Sequence, residues 1–184
     1  MSEDVDFADY TPAHGGEHGG GMSVRPATRA DAAAVAALFC ERHGGAVADT
    51  AQRIADHFTL IAEGLPDYVC VAEIDGAVVG YAKCGHRAMG ALRAENLPDG
   101  FYLAGVYTTP RHRRRGVGHR LTLDRLHWIE PRADAAFYST DTVNEASIAL
   151  HQEMGFLEVR RDVLPPGGAP RETDQHVLFR KTFR

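Results

Sequence analysis

The segment from Gly100 to Ile129 constrains this chain more than any other. GFYLAGVYTTP is almost continuously apolar and stops at a proline. A run with no polar face has nothing to offer water, so it belongs to a central strand covered on both sides. PRHRRRGVGHR follows at once, and beyond it Val117, Leu121, Leu126, Trp128 and Ile129 form the broad apolar stripe of a helix packed on a sheet. A central strand that feeds directly into a packed helix predicts an α/β fold.

The flanking sequence supplies the other elements. Thr28, with Asp31 three residues later, has the form of a capped helix start leading into Val35, Leu38 and Phe39. Ile54, Phe58 and Ile61 predict a second helix over Ala51 to Glu63, stopped by Gly64 and Pro66. The period then changes to that of strands, and DYVCVAEIDGAVVGYAKCG reads as a hairpin turning at Asp75-Gly76. A polar loop is expected from His86 to Gly100. After the central segment come a strand at Ala135 to Thr140, a helix from Asn144 closing at Gly155, and strands in FLEVRRDV and HVLFRKTF. The order ααββ-βα-βα-ββ predicts one α/β domain over residues 23–184, with a mixed central sheet flanked by helices. Residues 1–22 are acidic, then glycine-rich, without periodicity, and read as a disordered tail.

The chemistry concentrates at the strand-to-helix junction. Lys and Arg number 20 against 25 Asp and Glu, a net charge of −5, so the chain has no general attraction for nucleic acid. The arginines gather at one turn instead of spreading over a face. The first N–H groups of a helix lack intrahelical partners and its dipole is positive there, so the natural guest is a small anion. Gly116 and Gly118 let the backbone approach that anion, and arginine forks add bidentate contacts. The spacing is neither a Walker motif nor a dinucleotide fingerprint. Arg111 and Arg120 read as solvated residues of the helix start. Three widely spaced cysteines without a C-x-x-C pair argue against a disulfide framework or zinc site, and His14 and His18 in the glycine run read as linker, so no metal is expected. There is no apolar run of membrane-spanning length. A cytoplasmic protein with no membrane or nucleic-acid partner is expected, and a homodimer is compatible with the sequence.

The run Arg113-Arg114-Arg115-Gly116-Val117-Gly118, directly after strand and proline, resembles the pyrophosphate loop of the GNAT superfamily of acyl-CoA-dependent N-acyltransferases. Asn144-x-x-Ser147-Ile148-x-Leu150-His151-x-x-x-Gly155-Phe156 resembles the second signature of that superfamily, and the element order agrees from about Ser23 to Arg184. The resemblance implies a parallel central strand pair that splays apart, and acetyl-CoA as co-substrate. It implies cofactor contacts from Val106, Tyr107 and Thr108, from Arg113, Arg114, Arg115, Gly116, Val117, Gly118 and His119, and from Asn144 and Ser147. Many relatives carry Tyr where His151 stands, and histone-acetylating relatives carry Glu where Tyr102 stands. His151 is therefore the expected general acid, with cofactor bonding or plain packing as its alternatives. The base stays open among Tyr102, Ser139, Glu41, His43 and a water, and Asn144 is a good helix cap whatever else it does. The expected activity is acetyl transfer to a primary amine, a small molecule such as an aminoglycoside, polyamine or phosphinothricin-like compound ahead of a peptide N-terminus. With the arginines committed to one loop, the remaining acidic surface leans towards a cationic acceptor. The alternative is an acyl-CoA-binding sensor or assembly domain without turnover.

Overall fold

The computed structural model describes residues 21–88, 97–161, 163 and 176–183. Along these residues the elements are β1 (Met22–Pro26), α1 (Ala32–His43), α2 (Val47–Ala62), β2 (Asp67–Ile74), β3 (Ala77–Arg87), β4 (Gly100–Thr108), α3 (Val117–Ile129), β5 (Ala135–Asp141), α4 (Glu145–Glu153), β6 (Leu157–Arg161) and β7 (His176–Thr182). The strands form one mixed sheet in the order β1-β2-β3-β4-β5-β7-β6, in which β4 is central as its apolar run requires. All neighbours are antiparallel except β4 and β5.

Alternation along the strands divides the core between two faces. On one, Phe101, Leu103, Ala136, Tyr138, Val177 and Phe179 pack with Leu126 and Ile129 of α3 and with Phe156. On the other, Val71, Tyr81 and Tyr107 pack against Val35 and Leu38 of α1. Gly80 lets α3 sit close to β3, since a Cβ there would lie 3.2 Å from Val117 and 3.3 Å from Leu121. The β2–β3 turn has Asp75 at φ 51° and Gly76 at φ 76°, the paired positive angles of a type I′ turn.

Three boundaries differ from the sequence reading. β1 is an additional strand, and it starts at Met22, one residue before the expected start of the domain. Its five residues end in Pro26 and are too short to show alternation. It is fixed from outside, by pairing with β2 and by Arg25, which bonds Asp31 at 2.7 Å and Glu73 at 2.6 Å. α2 begins one turn earlier than Ala51, with Asp49 in its first turn and Thr50 buried. β3 runs on to Arg87 and β4 begins at Gly100, so the expected polar loop is shorter at its start. Residues 1–20 of the expected tail and 89–96 of that loop lie outside the described residues.

Candidate active site

The pairing of β4 with β5 covers only Phe101↔Ala136, Tyr102↔Phe137 and Leu103↔Tyr138. Beyond Leu103 the two strands separate, as the resemblance implies, and the second half of β4 faces a split. A bulge marks the same place: Ala82 pairs with Val106 and Lys83 with Ala104, leaving Gly105 unpaired at φ 58°. The bulge turns backbone groups out of the ladder. The Val106 carbonyl accepts from Arg42 Nη1 at 3.2 Å, and the Lys83 carbonyl accepts from Arg125 Nη1 at 3.1 Å.

β4 leads through a short 3-10 turn at Pro110–His112 to α3, whose N-cap is Gly116 in the left-handed region at φ 77°. The first backbone bond of α3 runs from Arg120 N–H to the Gly116 carbonyl. The N–H groups of Val117, Gly118 and His119 thus precede the intrahelical ladder, and no side chain caps them. Gly118 has an ordinary φ, and a Cβ there would meet only Leu150 at 3.7 Å; a Cβ on Gly116 would meet nothing within 4 Å. The fold therefore needs Gly116 for its φ, while among the described residues nothing requires a glycine at 118. Open space in front of free N–H donors fits a pyrophosphate. Arg114, Arg115 and His119 are exposed around it, and Arg113 reaches back to the Thr108 carbonyl.

Helix α4 is wired to β5. Asn144 accepts from the Ser147 N–H at 3.4 Å and donates to Thr140 Oγ1 at 3.0 Å, which engages both ends of its amide. Tyr138 donates its hydroxyl to Ser147 Oγ, and burial raises the pKa of the phenol. The His151 ring lies parallel to that of Tyr138, with centroids 3.6 Å apart and planes at 6°. His151 is buried, and its Nδ1 is 2.7 Å from the Ser147 carbonyl. A carbonyl only accepts, so Nδ1 holds the proton and Nε2 is bare. Nε2 is buried without a partner among the described residues. Burial, with Arg125 nearby, lowers the pKa to about 3.

His151, the expected general acid, thus sits in the structure as a buried ring stacked on Tyr138, with its Nδ1 proton on the Ser147 carbonyl. Tyr102, the other residue expected at the catalytic centre, lies elsewhere on the sheet. It packs with Leu97, Val163, Leu178 and Phe137 on the face opposite His151, at the closed end of the split. Its hydroxyl donates to the Pro98 carbonyl at 2.7 Å, and burial raises its pKa, so it holds its proton. The structure does not bring the two expected catalytic residues together.

Four side chains at the split were not singled out by their sequence pattern. Arg125, on α3, is fully buried and bonds Lys83 O, Leu121 O and Thr122 Oγ1. Tyr138 stands at the apex. Arg42 lies over Val106 from the end of α1, and the Lys83 side chain passes within 3.5 Å of a Cβ position on Gly105. Beside them, His43 packs on Phe39, and its pKa is lowered by partial burial and by Arg42 and Lys83. Tyr107 is buried below this group, with Glu41 as a neighbour; burial and that carboxylate raise its pKa. Ser139 continues β5 past the apex. Among the described residues no three His, Cys, Asp or Glu are grouped to hold a metal, and no helix is long and apolar enough to cross a membrane.

Residues 33–156 match the Acetyltransferase (GNAT) family. Aminoglycoside N(6')-acetyltransferase type 1 of Klebsiella aerogenes is 31% identical over 74% of this chain and 90% of its own length. An L-amino acid N-acyltransferase of Escherichia coli is 32% identical over 74% of this chain and 80% of its own. A Salmonella typhimurium protein solved with its cofactor acetyl-CoA is 25% identical, superimposes with a TM-score of 0.65, and covers 89% of this chain and 94% of that one.

Proposed function

This chain belongs to the GNAT acetyltransferase family, and from that premise we propose that it transfers an acetyl group from acetyl-CoA to the primary amine of a small molecule, with the split between β4 and β5 as the reaction site. The observation that carries this reading is the start of α3, where free N–H donors and unobstructed glycines lie at the end of the strand that borders the split. Bound there, acetyl-CoA supplies an activated acyl carbon: an amine nitrogen forms a bond to it, the carbon–sulfur bond breaks, and the thiolate leaves.

The chain's own groups divide the remaining work. The N–H groups of Val117, Gly118 and His119, with Arg113, Arg114 and Arg115, hold the pyrophosphate. The backbone from Val106 to Thr108, freed from β5, orients the pantetheine arm, and an N–H beside the Gly105 bulge receives the oxyanion. Ser147 lies along the same approach. An amine attacks only when neutral, and His43, whose lowered pKa leaves it unprotonated at pH 7, takes that proton. With His151 bare on Nε2, the Tyr138–Ser147 pair is the donor that serves the thiolate: Ser147 accepts from the phenol and keeps its own hydroxyl proton to give. Asn144 fixes the start of α4, and His151 packs beneath Tyr138.

Acceptors named for the relatives include aminoglycosides and L-amino acids. The proposed acceptor is a small amine of aminoglycoside, polyamine or phosphinothricin-like type, ahead of a peptide N-terminus. The full chain, given acetyl-CoA and a panel of such amines, should release free thiol only when an amine is present. A second reading, binding without turnover, draws on the bare, buried His151. It predicts a rise in melting temperature with acetyl-CoA and no thiol release from any amine.

A further inference from the structure

The face of the split that looks towards α1 carries two cations, Arg42 and Lys83, beside the bulge at Gly105. Lys83 alternates with Tyr81 and Gly85 on that face and pairs with Ala104, the first residue of β4 beyond its ladder with β5. Its side chain lies across Gly105. Arg42 reaches the neighbouring residue from above, with Nη1 on the Val106 carbonyl. A charge at the end of a helix commonly bonds that helix's own last carbonyls. Arg42 instead crosses to another element, and the terminal Cys40 carbonyl of α1 is taken by the Gly44 N–H.

The nearby carboxylates are already engaged. Asp67 stands over Gly85, the next position along this face from Lys83, and is held there by Arg87 at 2.6 Å and His57 at 3.3 Å. Glu41 is the neighbour of Tyr107. Among the described residues no ion pair is formed by Arg42 or Lys83, whereas Arg25, Arg87 and Arg161 all have one. Arg42 uses one N–H on Val106, which leaves the rest of its fork free, and both side chains belong to exposed residues. Two cations flanking one bulge can close on a single small anion, with the guanidinium giving paired bonds and the ammonium a point charge.

We infer that Arg42 and Lys83 form an oxyanion seat on the acceptor side of the split, so that the amine this protein acetylates carries its own acid group, a carboxylate or phosphonate, within a few bonds of the nitrogen. This assignment rests on the transferase reading of the same split. It sets aside the lean towards a polycation: the chain carries a net charge of −5, but the ground next to the proposed reacting position holds Arg42 and Lys83, and like charges brought together there cost binding. The acid group docks on Arg42 and Lys83, and the amine then points past Gly105 into the split.

The test compares matched amines by thiol release from acetyl-CoA with the full chain: an α-amino acid, its carboxamide, the same amine without the acid group, the corresponding aminophosphonate, and spermidine. The acid-bearing amines should exceed their uncharged counterparts in kcat/KM by about tenfold or more, the scale of a hydrogen bond to a charged group. The amino acid and aminophosphonate arms tell which acid fits. Arg42→Gln and Lys83→Gln should each raise KM for the preferred acid by about tenfold, erode its advantage over the carboxamide, and leave the acetyl-CoA melting shift intact. Turnover that favours spermidine or the carboxamide, or variants that keep the preference, would overturn the seat alone. A melting shift without turnover of any amine counts against the seat, because the panel includes the acids it requires. No melting shift with acetyl-CoA removes the transferase reading, and the seat with it.

Discussion

Helices α3 and α4 begin beside the same split, and their first turns are finished in opposite ways. At α4 the chain completes itself: Asn144 accepts from the Ser147 N–H, Glu145 adds negative charge to the first turn, and the other end of the Asn144 amide ties the helix to Thr140. At α3 there is no capping side chain and no acidic residue in the first turn. The cap is a left-handed glycine, and the surrounding loop is basic. One helix start has spent its donors on the fold, and the other keeps them for a guest. The difference supports separate tasks for two motifs that the sequence presents as equals: under the proposed function α3 would receive the anionic end of the co-substrate, and α4 would fix the wall beside it.

The polar interior of α4 should make that wall sensitive to acid. His151 is neutral in the fold with a pKa of about 3, against roughly 6.5 in an unfolded chain. A group whose pKa is depressed by folding contributes stability that is present above the unfolded value and is lost as pH falls towards the folded one. The melting temperature should therefore drop between pH 6.5 and 4. His151→Leu, which removes the partnerless Nε2, should flatten that part of the profile. Asp31, held down to about 2 by its bond to Arg25, adds its own loss only at lower pH. An acid limb identical in wild type and variant would show that α4 is not tuned to the neutral imidazole. A smaller effect is expected at the cap. Asn144→Ala should cost about 1 kcal/mol of stability in chemical denaturation, as lost caps do, and should leave acetyl-CoA affinity unchanged. A loss of affinity at constant stability would erase the contrast between the two helix starts.

What was legible in the sequence was what local patterns dictate. The apolar run of β4, its proline stop and the stripe of α3 place the anion loop without any tertiary information. Asp75-Gly76 announces its turn for the same reason. The parallel pair that parts after Leu103 followed from the resemblance. The illegible features all depend on long-range partners. β1 is a strand only because β2 offers it an edge. No local pattern marks Arg125 for burial, yet it is buried, with one N–H on the carbonyl of Lys83 from another element, beside the Gly105 bulge. His151 matched the position of an acid in sequence, but its proton is set by the Ser147 carbonyl and its surroundings by Tyr138, a neighbour from another element. Tyr102 and Tyr138 sit one residue apart in pairing register yet face opposite sides of the sheet, and only one of them borders α4.

Whether the start of α3 is built for the pyrophosphate of acetyl-CoA can be read in one calorimetric titration: acetyl-CoA into the wild-type protein and into Gly118→Asp. The substitution should fold, since φ at 118 is ordinary and a Cβ would meet only Leu150 at 3.7 Å, but it sets a carboxylate where phosphate oxygens approach. Affinity should fall by about a hundredfold or more, consistent with the loss of charge-assisted bonds, at little cost in melting temperature without ligand. A folded Gly118→Asp protein that binds acetyl-CoA as tightly as wild type would contradict it.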